Sequence, residues 1–128
     1  MRKSNFFPNV NIPRENEIKV CCQKITDSDD GDEIFDNSNK LIGIYKDIVD
    51  LKNKAIKEAF YNSYKTTFLK AVYHVAIANV YGLHGRNVNL NSARTFYDFI
   101  KEKEPGNSYL SRLDMAIQSK EQPQHNRR

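Results

Sequence analysis

Between positions 70 and 94 lie six residues with the chemistry to act on a phosphate: Lys70, His74, His84, Arg86, Asn87 and Arg94. A histidine moves a proton near neutral pH, and a guanidinium stabilises the charge that builds on a phosphorane-like transition state. The set therefore suits RNA binding or RNA cleavage. His74, His84 and Arg86 are the candidate catalytic residues, and Lys70, Arg86, Asn87 and Arg94 the candidate binding residues. The same side chains also have a plain structural reading. An arginine near a helix end interacts with terminal carbonyls, an asparagine suits a turn, and a histidine on an apolar helix packs at the core edge. No phosphate-cradling glycine loop, nucleophile elbow or His-Glu-x-x-His zinc helix accompanies them. This favours binding over clear-cut catalysis.

A second polar concentration runs from Asp27 to Asp36, with Asp29, Asp30 and Asp32 as candidate residues for docking on a basic partner. It is not a calcium loop. With Gly31 as the invariant glycine, the first ligand would be Thr26, and Asn37 would stand where a bidentate Glu is required. Cys21 and Cys22 are adjacent and are the only cysteines. Ordinary trans geometry does not let neighbours pair, so no disulfide framework forms, in keeping with a reducing compartment. Without Cys-x-x-Cys, and with His74, His84 and His125 lacking ligand spacing, no metal site and no cofactor are expected.

The elements that must position these residues follow from periodicity. Residues 1–37 read as an extended acidic arm, with Pro8 and Pro13 breaking any early helix and a strand candidate from Ile18 to Ile25. From Ser38 the period changes. Leu41, Ile44, Ile48, Leu51, Ala55 and Ala59 form one helical stripe, capped by Asp36, Asn37 or Ser38, over roughly 39–61. The chain then restarts near Asn62-Ser63. Eleven of the fourteen residues from Phe68 to Tyr81 are apolar, which predicts a central helix. Within it Lys70 and His74 share an edge, and Asn79 lies opposite and needs a dedicated partner if buried. Gly82 and Gly85 end that helix. Asn91 or Ser92 caps a third helix over roughly 92–103, Glu104-Pro105-Gly106-Asn107 forms a turn, and Ser108 caps a fourth helix to about 119. The expected architecture is all-α, roughly a four-helix bundle over 38–119, with a disordered tail over 120–128.

The 128 residues are 39% hydrophobic and 28% charged, which fits one modest domain. Mean hydropathy is -0.71. The apolar run falls short of a bilayer-spanning helix, and the basic start Met1-Arg2-Lys3 has no apolar run behind it. A cytoplasmic protein without membrane attachment is expected. The net charge of +4 is uneven: residues 1–36 carry five Lys/Arg against eight Asp/Glu, the remainder fifteen against eight. A basic body can attract a polyanion, an acidic arm can mask it, and lysines can simply solvate helix surfaces.

Taken together, the apolar helix, the turn with a basic residue and the Ser/Leu-containing restart, YHVAIANVYGLHGRNVNLNSARTFYDFI within Phe68–Ile100, resemble the HEPN superfamily and its abortive-infection branch. The resemblance implies a small helical domain, often dimeric, acting in phage defence, toxin–antitoxin regulation or RNA processing. Active members carry an Arg and a polar residue followed shortly by a His. Arg86-Asn87 matches the first half, and Asn91 stands where the His is required, which implies a non-catalytic or antitoxin-like member. The expected partners are a protein or RNA, with homodimerisation in keeping with the wide first stripe. The alternative is an inhibitor, immunity or adaptor protein that docks through its acidic segment.

Overall fold

A computed structural model describes residues 10–121 of the chain. It is all-α, with five helices among the described residues: α1 (Glu15–Asp27), α2 (Gly31–Asp50), α3 (Lys54–Tyr81), α4 (Leu90–Lys103) and α5 (Tyr109–Glu121). The chain divides into two compact units, and the division falls inside α3, between Ala71 and Val72. No helix among the described residues is long and apolar enough to cross a membrane.

The first correction to the sequence reading is α1. Residues 15–27 are helical rather than strand, and residues 31–37 belong to α2, so this part of the expected arm is not extended; residues 1–9 of it lie outside the described residues. Ile18, Cys21 and Ile25 are buried, whereas Val20 is 54% exposed. Burial therefore follows the helical 3.6 period, not the alternation that Ile18, Val20 and Cys22 suggest. Glu15 and Glu17 in the first turn and Lys24 in the last suit the helix dipole. Arg14, in the left-handed region at φ 59°, holds the entry by donating to Glu17 at 2.6 Å and to Asp47 of α2 at 2.9 Å.

Capping also moves the other boundaries. Asp30, not Asp36, Asn37 or Ser38, caps α2, its Oδ1 accepting from the Asp32 amide at 2.9 Å. Ser38 is instead fully buried in mid-helix. The break expected at Asn62-Ser63 occurs at Leu51–Asn53. Lys52 turns left-handed at φ 56°, and Asn53 Oδ1 accepts from the Ile56 amide at 3.1 Å to start α3. Asn62 and Ser63 are exposed within a continuous α3. In this first unit Tyr45, Phe60 and Phe68 join α2 to α3, with ring centroids 4.6–5.4 Å apart.

In the second unit, Val72, Val75, Ala76, Ala78 and Val80 of α3 are buried, as are Ala93 and Ile100 of α4 and Leu110, Leu113 and Ile117 of α5. Tyr73 stacks on Tyr109, with centroids 4.5 Å apart and ring planes 13° apart. Asn89, rather than Asn91 or Ser92, caps α4 by accepting from the Ser92 amide at 3.0 Å. Asn107, rather than Ser108, opens α5, its Oδ1 accepting from the Tyr109 amide at 2.8 Å. Because α5 runs to Glu121, Lys120 and Glu121 are helical rather than tail; the rest of the expected tail lies outside the described residues.

Candidate binding loop after α3

The loop from Gly82 to Asn89 is fixed at both ends. Gly82 sits at φ 68°, and the Leu83 amide reaches back to the Ala78 carbonyl at 3.0 Å, closing the helix in the manner of a Schellman motif. A β carbon at Gly82 would meet the Arg86 carbonyl oxygen and Val88 Cγ2, each at 3.3 Å. At the far end the Asn89 amide donates to the Asn79 carbonyl at 2.7 Å. The Asn79 side chain, 3% exposed, donates through Nδ2 to Ser92 Oγ at 3.1 Å. Asn79 thus has the dedicated partner its burial demands, and the pair ties α3 to the first turn of α4.

This frame presents three large apolar side chains to solvent: Tyr81, Leu83 and Val88, which are 44%, 41% and 51% exposed. His84, left-handed at φ 55°, and Asn87 are exposed beside them, and Arg86 is half-buried. Lys120 of α5 places Nζ 5.7 Å from the Tyr81 ring centroid. The apolar trio is absent from the candidates chosen on sequence, which favours polar chemistry; which apolar residues stay uncovered is settled only by packing.

The polar set chosen on sequence does not assemble as one group. Lys70 lies in the first unit, where Nζ donates to the Ile25 carbonyl at 3.4 Å, closing the end of α1. His74 is half-buried in the second unit, its ring 5.8 Å from that of Tyr73. Arg94 Nη2 donates to both Glu121 carboxylate oxygens at 3.1 and 3.2 Å, and Nη1 lies 3.8 Å from Asp114, joining α4 to α5. His84, Arg86 and Asn87 share the loop. Asp29, Asp30 and Asp32 are exposed at the α1–α2 corner, where Asp30 is committed to its cap. Nearby, Glu33 accepts from Ser28 Oγ at 2.7 Å and pairs with Lys24 at 3.0 Å, which holds its carboxyl below the usual range.

Burial pushes the Cys21 and Cys22 thiols up, that of Cys22 to about 11. Burial also raises the Tyr64 phenol, with its hydrogen bond to Glu15 adding to the effect. No group of three or more His, Cys, Asp or Glu is placed to hold a metal ion among the described residues. Comparison with protein-family models, curated proteins and solved structures finds no match.

Proposed function

We propose that this chain is a small helical binding protein that acts without covalent chemistry, and that it holds a protein partner on the loop following α3. The observation carrying this reading is the exposure of Tyr81, Leu83 and Val88 on a loop whose backbone is pinned by Asn79, Gly82 and Asn89. Exposed apolar groups carried on a fixed backbone suit recognition of another surface. A protein partner is favoured over RNA because Lys70 and Arg94 are occupied by a carbonyl and by carboxylates. The acidic corner is the weaker candidate, since Asp30 and Glu33 are held in local structure.

The HEPN resemblance belongs to this proposal in its non-catalytic form: Arg86 and Asn87 lead to Asn91 rather than to a histidine. A role in phage defence or toxin–antitoxin regulation is the setting that the resemblance suggests.

The test compares wild type with the Leu83→Ser/Val88→Ser double variant as bait in native lysate, with and without nuclease. Retention of a protein that survives nuclease and is lost with the variant is the expected result. Retention abolished by nuclease points instead to RNA, and Arg86→Ala then decides whether the Arg-Asn turn is its site.

A further inference from the structure

We draw no further inference here: the strongest candidate, the apolar groove between the entry of α1 and the last turns of α2, lined by Pro13, Arg14, Ile44, Asp47, Ile48 and Leu51, carries nothing because nothing in the structure shows what covers it.

Discussion

Asn79 shows how one residue can organise a loop. Its carbonyl receives the Asn89 amide and its side chain donates to Ser92, so it anchors both the return of the chain and the start of α4. Asn79→Ala removes the side-chain bond and leaves Ser92 short of a donor. We expect a loss of about 1–3 kcal/mol in urea unfolding, with Ser92→Ala adding little on top of it. Cys22 provides a pH signature. Burial raises its thiol from 9.0 to about 11, so the folded chain holds a proton that the unfolded chain releases. The associated stability is present below pH 9 and falls as pH rises towards 11, and Cys22→Ala should flatten that part of the stability profile. At the acid side Glu33 behaves oppositely. Its carboxyl is lowered by the Ser28 hydroxyl and then by Lys24, so its contribution is present above its ordinary 4.5 and lost as pH falls. Glu33→Gln should reduce the acid-side slope measured by thermal unfolding.

At the scale of elements, the apolar spacing of the central helix was legible and the boundaries were not. Gly82 ends α3 as glycine's conformational freedom predicts, whereas Gly85, also at positive φ, lies in the loop beyond it; the Glu104–Asn107 turn lies where its residues place it. In the stretch from Ile18 to Ile25, however, both a two-residue and a three-to-four-residue apolar spacing are present, and the choice falls to the partner helix. Because α1 packs on α2, the positions one turn apart are covered and Val20 is left outside. Ile25→Ala should therefore cost about 2–5 kcal/mol, whereas Val20→Lys should stay within about 0.5 kcal/mol. Comparable losses for the two variants would contradict the helix. The break at Leu51–Asn53 was hidden for another reason. Ala55 and Ala59 prolong the stripe of α2 in the sequence, yet the Asn53 cap and the left-handed Lys52 redirect the chain first.

For the whole molecule, far-UV circular dichroism should show predominantly helix, and amide exchange should be slow across Val72–Val80, where most side chains are buried. Rapid exchange there would remove the support beneath the loop. The sequence by itself determined that residues 38–119 carry a set of helices, that Asn79 needs a partner, and that the segment after Tyr81 must turn, because periodicity and glycine are local properties. Which polar residues meet was decided only by tertiary structure. Lys70 reaches the Ile25 carbonyl at the end of α1, and Arg94 is drawn to carboxylates of α5. Ion pairing and the covering of apolar surface depend on which helix arrives alongside, and that is a property of the packed chain rather than of any window along it.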